Sequence, residues 1–271
     1  MFNMQVIKRL PTQLANQIAA GEVVQRPSSV VKELMENAID AGATEISLSI
    51  KDGGRTLISI QDNGSGMNAE DALLCFERHA TSKITAIDDL FKLTTMGFRG
   101  EALASIGAVA HVSLKTKREA GLTGVHIKME GGNITLNEEA VCSKGTLIEV
   151  KNLFFNVPAR RNFLKSDSIE FNHIEDAFLY IAIAHPEVSF ILHHNNQAIY
   201  NLSAANLKEE AGIAAAGAAA TGSADSLIPN FASVAGPAIP SAVRPFAVCH
   251  AFNFASVPGP NDPSAPAPNF S

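Results

Sequence analysis

The chain has 271 residues, of which 46% are hydrophobic and 18% charged, enough for a sizeable core in one large or two small domains. Its net charge of −6 excludes overall positive charge as a route to a nucleic-acid partner. Three cysteines, Cys75, Cys142 and Cys249, lie far apart with no C-x-x-C, which points to reduced thiols, a cytoplasmic setting and no structural zinc.

At the start of the chain, Met1-Phe2-Asn3-Met4-Gln5 lacks a basic segment followed by an apolar run, so no secretory signal is read. No apolar stretch is long enough to span a bilayer. Residues 12–20 are expected to be helical, with Thr12 as N-cap after Pro11 and Gly21 as the stop. A second helix is expected over 30–41, capped by Ser28 and Ser29 and ended by Gly42-Ala43. At about 100° per residue, Glu33, Asn37 and Asp40 share one face of it. Val30, Val31, Leu34 and Met35 supply its apolar side. A carboxylate can serve as general base, and an amide oxygen one turn away is a hard ligand suited to Mg²⁺. The same three residues also suit an ordinary solvated helix face.

Two alternating runs, 45–50 and 56–60, read as strands joined at Asp52-Gly53-Gly54. The second leads into Asp62-Asn63-Gly64-Ser65-Gly66-Met67. That stretch is either a capped glycine turn or a ligand-facing strand end, where an acceptor-only carboxylate meets an amino group and glycines admit a flat ring. A short helix is expected over 69–76, then a polar segment with Arg78-His79-Ala80-Thr81-Ser82-Lys83. Gly97-Phe98-Arg99-Gly100 opens a further helix, and unpaired N–H groups at such a start suit a phosphate. His79 reads better as a packing or surface residue than as a ligand. Strands are expected at 111–116, 125–129, 134–136 and 146–150. Arg160, Arg161 and Lys165 make a basic stripe of the kind that is usually a solvated face. A helix over 168–184 and a strand pair, 188–192 and 198–202, joined at Asn195-Asn196, complete the patterned region. Beyond Glu210 the only charged residues are Asp225, Arg244 and Asp262, and prolines cluster among Ala, Gly and Ser. Residues 206–271 therefore read as a low-complexity tail expected to be disordered.

In order, Glu33-x-x-x-Asn37, Asp62-x-Gly64-x-Gly66, Gly97-Phe98-Arg99-Gly100-Glu101-Ala102-Leu103 and Gly145-Thr146 resemble the four motifs of the GHKL ATPases. That superfamily includes gyrase B subunits, a heat-shock chaperone family, sensor histidine kinases and the MutL proteins of DNA mismatch repair. Gln17–Val24, Asp40–Thr44, Arg78–Lys83, Gly97–Ser105 and Asn156-x-Pro158-Ala159-Arg160-Arg161 resemble MutL signatures nearly letter for letter, and the likeness covers about residues 5–205.

The resemblance implies an α+β fold, the Bergerat α/β sandwich: a mixed sheet with helices on one face, ATP on the helical side, and then an incomplete second domain like ribosomal protein S5. It implies ATP and Mg²⁺ as cofactors. Glu33 is then the catalytic base, Asn37 the metal ligand, and Asp62, supported by Thr146, the reader of the adenine amino group. Gly64 and Gly66 admit the base. Arg78–Gly100 is the lid, with Thr81, Ser82, Lys83, Gly97, Phe98, Arg99 and Gly100 binding nucleotide. Implied partners are a MutS-like mismatch recognition protein, a nicking endonuclease, a helicase and a second copy of the chain. DNA contact falls chiefly to basic residues of the second domain, and no membrane is implied. ATP would drive a slow conformational switch in DNA repair. Residues 1–205 hold the ATPase domain and the beginning of the second domain. The family pattern then stops before a lysine that reaches the γ-phosphate, so a nonenzymatic nucleotide-binding fragment stands as the alternative. The tail reads as a shifted reading frame or a fused foreign segment, which resequencing the coding DNA would test.

Overall fold

The computed structural model describes residues 9–83 and 100–207. Expectations placed on Gly97, Phe98 and Arg99, and on the chain beyond 207, lie outside the described residues.

The chain opens with helix α1 (Thr12–Val23), whose N-cap residue is Pro11, so Thr12 is the first helical residue rather than the cap. The helix runs through Gly21 instead of stopping there. The guanidinium of Arg160 lies where a side chain at position 21 would sit, so this glycine provides a packing slot. Helix α2 (Pro27–Asp40) begins earlier than the serines suggested. Pro27 occupies its first turn, where the missing N–H is no loss, and no side chain caps it. Its end is as expected. Gly42 takes φ +72°, its N–H donates to the Ile39 carbonyl (2.8 Å), and the Ala43 N–H donates to that of Ala38 (3.1 Å). This is a Schellman stop, which glycine allows without a Cβ penalty.

Strands β1 (Glu45–Lys51) and β2 (Leu57–Asp62) form a hairpin around a 3-10 turn at Asp52–Gly54. Then come α3 (Ala69–Leu74), α4 (Ala102–Val109), β3 (His111–Lys117), β4 (Gly124–Glu130), β5 (Asn133–Ala140) and β6 (Gly145–Lys151). Next are α5 (Pro158–Phe163), α6 (Asp167–Ala184), β7 (Ser189–His194) and β8 (Gln197–Leu202). All these strands join one eight-stranded sheet in the order β5-β4-β3-β6-β2-β1-β7-β8. Only the β1–β7 pairing is parallel, so the sheet is mixed. The strands of residues 146–202, which the resemblance shares between a first domain and the opening of a second, therefore lie in this same sheet.

One sheet face is apolar because alternate residues point to it. Ile46, Leu48 and Ile50 of β1, Ile58 and Ile60 of β2, Val112 and Leu114 of β3, and Ile148 and Val150 of β6 are buried there. Helix α2 packs on this layer through Val30, Val31, Leu34, Met35 and Ala38, and beside α6. Phe178 of α6 meets Phe190 edge-on at 6.0 Å and stacks near Tyr200 at 5.9 Å, fastening α6 to β7 and β8. Asn195 and Asn196, at φ +49° and +68°, close the β7–β8 hairpin with the left-handed pair a two-residue turn favours. Arg55 ties the far end together. It pairs with Asp167 at 2.8 Å and donates to the carbonyls of Leu164 and Lys165, holding the α5–α6 link against the β1–β2 turn.

Leu34 is 2% exposed at the centre of the α2 contact. Leu34→Ala is expected to destabilise the chain by about 2–5 kcal/mol, from lost burial and the cavity left behind. Urea denaturation measures this, and a change under half a kilocalorie would show that α2 is not packed as described.

Candidate functional site

The rows of the apolar face run across β1, β2, β6 and β3 in register. Ile50, Ile58, Val150 and Val112 form one row, and Leu48, Ile60, Ile148 and Leu114 the next. The third row is Ile46, Asp62, Thr146 and Thr116. The ladder thus turns polar at one end of the sheet, on the side that carries the helices. Asp62 is only 8% exposed. Burial pushes its carboxyl above the usual range, against the pull of backbone N–H groups from Gly64 and Thr146. The Gly64 N–H donates to Asp62 Oδ1 at 2.8 Å. Asp62 is therefore a turn cap and also a desolvated acceptor in a polar row.

The following loop is held residue by residue. Asn63 Oδ1 accepts from the N–H groups of Thr44 and Glu45 at 2.8 and 3.0 Å. The Ser65 N–H donates to the carbonyl of Ala41, the residue after α2, at 2.9 Å. A Cβ on Gly64 would stand 2.9 Å from that same carbonyl oxygen. Gly66, at φ +63°, has the Lys117 carbonyl where a Cβ would go, and Gly145, at φ +103°, has the Asp62 carbonyl there. These glycines let the loop, β3 and β6 close on one another. Thr116 is fully buried, and its Oγ1 accepts from the Met67 N–H at 2.9 Å. Sequence reasoning placed Thr116 only at the end of a strand. Its alternation onto the core face was the one available signal that it belongs with Asp62.

Asp40 lies directly before Ala41, so the polar face of α2 adjoins this loop. Lys83 Nζ donates to Asp40 Oδ2 at 2.5 Å and to Asn37 Oδ1 at 3.2 Å. Burial raises the pKa of Glu33, with Glu36 adding to the rise and Lys32 and Lys83 opposing it. Glu36 is paired with Lys32 at 3.1 Å. Glu33, Asn37, Asp40 and Lys83 are thus neighbours, and the oxygens of Asn37 and Asp40 converge on a cation. That donor set fits a hard metal ion.

Thr81 Oγ1 accepts from the Lys83 N–H at 3.2 Å, and Ser82 is exposed. Gly100 precedes α4, and its carbonyl accepts from the His79 N–H at 3.0 Å. His79 Nδ1 lies 3.4 Å from Glu101 Oε1, and the side chain is exposed, so this histidine is a surface residue paired across to the start of α4. Arg78 donates to the Asn16 carbonyl at 3.1 Å and Arg160 to the Val24 carbonyl at 3.0 Å. Arg78 thus ties the 76–83 segment to the middle of α1, and Arg160 ties α5 to its end. Arg160 is therefore withdrawn from the expected basic stripe, because the slot at Gly21 and the face of Phe154, 6.0 Å away, take its guanidinium. Arg161 and Lys165 remain exposed. A cavity of about 530 Å³ opens beside Met67, Arg118, Thr123, Asn137 and Glu138. It includes neither Glu33 nor Asp62, so the polar row, not this cavity, locates the site.

An eight-stranded mixed sheet with helices over a face that ends in a buried aspartate, beside a helix bearing Glu33 and Asn37, is the α+β fold of the GHKL type. The family described as histidine kinase-, DNA gyrase B- and HSP90-like ATPase matches residues 25–154. The DNA mismatch repair protein MutL of Flavobacterium johnsoniae is 59% identical over 204 residues, covering 75% of this chain and 32% of the relative. The solved ATPase domain of Aquifex aeolicus MutL, complexed with ADP, is 32% identical with a TM-score of 0.55, covering 69% of this chain and 67% of that one. The N-terminal domain of a DNA repair protein is 26% identical with a TM-score of 0.60, covering 73% and 60%. The chain belongs to the MutL family. It spans about a third of the length of the curated relatives it matches.

The raised pKa of Asp62 has a consequence for stability. A carboxyl whose folded pKa exceeds its unfolded one favours folding while protonated, and that contribution is lost as pH rises through the folded value. Asp62→Asn, which cannot titrate, is therefore expected to gain melting temperature relative to the parent as pH is raised from below the carboxylate range to neutrality. Paired thermal melts across that range check this, and a gain that shrinks with rising pH would contradict it.

Proposed function

We propose that this chain carries the ATP-binding and ATP-hydrolysing switch of a DNA mismatch repair protein. The observation that carries the reading is the α2 face of Glu33, Asn37 and Asp40, with Asn37 and Asp40 bonded to Lys83 and the face joined through Ala41 to the Asp62 row. The ADP complex of the Aquifex aeolicus relative supports a nucleotide as the ligand.

Asp62, supported by Thr146, accepts from the adenine amino group. Asn37 supplies an oxygen to Mg²⁺. Among the described residues no group of three or more His, Cys, Asp or Glu could hold a metal ion alone. Asn37 would hold the ion, and triphosphate oxygens and water would fill the rest of its shell, the usual arrangement for Mg²⁺. When bound, the ion neutralises phosphate charge. Lys83 then exchanges Asn37 and Asp40 for the phosphates, with Thr81, Ser82 and the 97–100 segment (Gly97, Phe98, Arg99, Gly100) alongside. Glu33 holds the attacking water and takes its proton, a role that suits a carboxylate whose affinity for protons burial has raised. Phosphoryl transfer relies mainly on positioning and charge neutralisation, which this set of parts provides.

Turnover is slow and serves as a timer. ATP orders the lid and brings two copies together, and the paired state signals to a MutS-like protein, a nicking endonuclease and a helicase. In the family the second domain supplies a lysine to the γ-phosphate and basic residues to DNA, and this chain matches only the beginning of that domain, to about residue 205. Residues 1–205 are the ATPase domain with the beginning of the second domain, and the setting is cytoplasmic; of the expected tail, Asn206 and Leu207 are helical with Leu207 buried, and the rest lies outside the described residues. Among the described residues no helix is long and apolar enough to cross a membrane.

A nonhydrolysable ATP analogue with Mg²⁺, at about 100 times its dissociation constant, is expected to stabilise the chain by about 2.7 kcal/mol. For a chain of this size that raises the melting temperature by several degrees. A cooperative melt with no shift would overturn the nucleotide site. Glu33→Ala is expected to abolish phosphate release while keeping the thermal shift, and hydrolysis at the parent's rate would remove Glu33 from its role. Asn37→Ala is expected to weaken binding only when Mg²⁺ is present, so equal loss with and without the ion would deny it the metal.

A further inference from the structure

Thr116 stands at the inner end of the polar row, and its hydrogen bonds leave one arrangement of protons. Its Oγ1 lies 2.9 Å from the Met67 nitrogen, 3.0 Å from the Gly145 carbonyl oxygen and 3.1 Å from Thr146 Oγ1. The backbone N–H of Met67 can only donate, and the carbonyl of Gly145 can only accept. A hydroxyl has one proton and two lone pairs. The Thr116 proton therefore goes to Gly145, and one lone pair takes the Met67 N–H. The other lone pair faces Thr146. Two hydroxyl oxygens at 3.1 Å need a proton between them, and Thr116 has none left. Thr146 must supply it.

Thr146 consequently has no proton to offer elsewhere. Beside it in register, Asp62 is acceptor-only when ionised. The row thus presents two neighbouring acceptors and no side-chain donor. We propose that Thr116 is a specificity residue that acts through Thr146. By holding the Thr146 proton inward, it makes the site select a 6-amino purine and reject a 6-oxo purine. The two hydrogens of an exocyclic amino group match two adjacent acceptors. A 6-oxo group brings a third acceptor against them, and unmatched polar groups in a buried site discriminate strongly. This rests on the nucleotide reading of the site and adds to it the residue that sets the direction of a hydrogen bond.

The test compares ATP with inosine triphosphate, in which an oxygen replaces the amino group at C6 and N1 carries a hydrogen, by titration calorimetry with Mg²⁺ on the whole chain. Inorganic tripolyphosphate serves as the control for the phosphate end. The parent is expected to prefer ATP. In Thr116→Val, Thr146 is released to donate, and the preference is expected to fall by about tenfold, the scale of one hydrogen bond. Tripolyphosphate binding should not change, and Thr116→Ser should restore the preference. A second variant reads the polarity directly and leaves the Thr116 hydroxyl in place. With Thr146→Val, loss of an acceptor weakens ATP and spares inosine triphosphate, whereas loss of a donor does the reverse. If Thr116→Val fails to fold, the Thr146→Val result decides. A parent that binds neither nucleotide would overturn the nucleotide reading, and this inference with it. A parent that binds ATP, with an unchanged preference in Thr116→Val or weakened inosine triphosphate in Thr146→Val, would overturn the role of Thr116 alone.

Discussion

A carboxylate buried at the end of an apolar sheet face is the constraint around which this region is arranged. Removing Asp62 from water raises the free energy of its charged form, and only hydrogen bonds supplied by the fold offset that. Gly64 and Thr146 direct backbone N–H groups at it, and those groups stay in place only if the loop and β6 are themselves held. Asn63 pins the loop to the start of β1, Ala41 pins it to the end of α2, and Thr116 pins Met67 and Gly145 from below. A group disfavoured in its own fold is kept where a ligand can use it, as is common at functional sites.

The second charged centre follows from the first through the chain. The Schellman stop of α2 delivers Ala41 to the loop, and this sets the polar face of the helix beside the row. On that face the oxygens of Asn37 and Asp40 have taken the ammonium of Lys83, a mobile cation at the end of a flexible stem. Such a contact satisfies the oxygens and can be exchanged when another cation arrives. The carboxylate of Glu33, raised by burial and by Glu36, completes a patch in which one group can carry a proton while its neighbours bind charge.

Two arginines show how the same residue type divides into different tasks. Arg78 and Arg160 both donate to carbonyls of the α1 region, so they order the segment flanking the site. Arg55 performs the same work at the opposite end of β2, between the 3-10 turn and the α5–α6 link. In each case a planar group with several donors reaches backbone carbonyls of another segment, at the C-cap Val24, inside α1 at Asn16, or in the α5–α6 link.

Local pattern was enough for much of this protein. The period of α2, the alternation of β1, β2, β3 and β6, and the Gly42 stop are short-range consequences of side-chain direction and backbone freedom, and the sequence by itself determined them. The order of the motifs also determined the family. What the pattern misjudged were helix bounds: the start of α2, where Pro27 outweighed the serines, and the end of α1, where the helix runs through the Gly21 slot. Only the tertiary structure decided that β7 and β8 extend the same sheet, because strand order depends on pairings far apart in sequence. It alone turned Arg160 inward, brought Lys83 to Asn37 and set Thr116 beside Thr146. Those contacts join residues 30 to 139 positions apart, and no local periodicity encodes which distant partner will satisfy a given polar group.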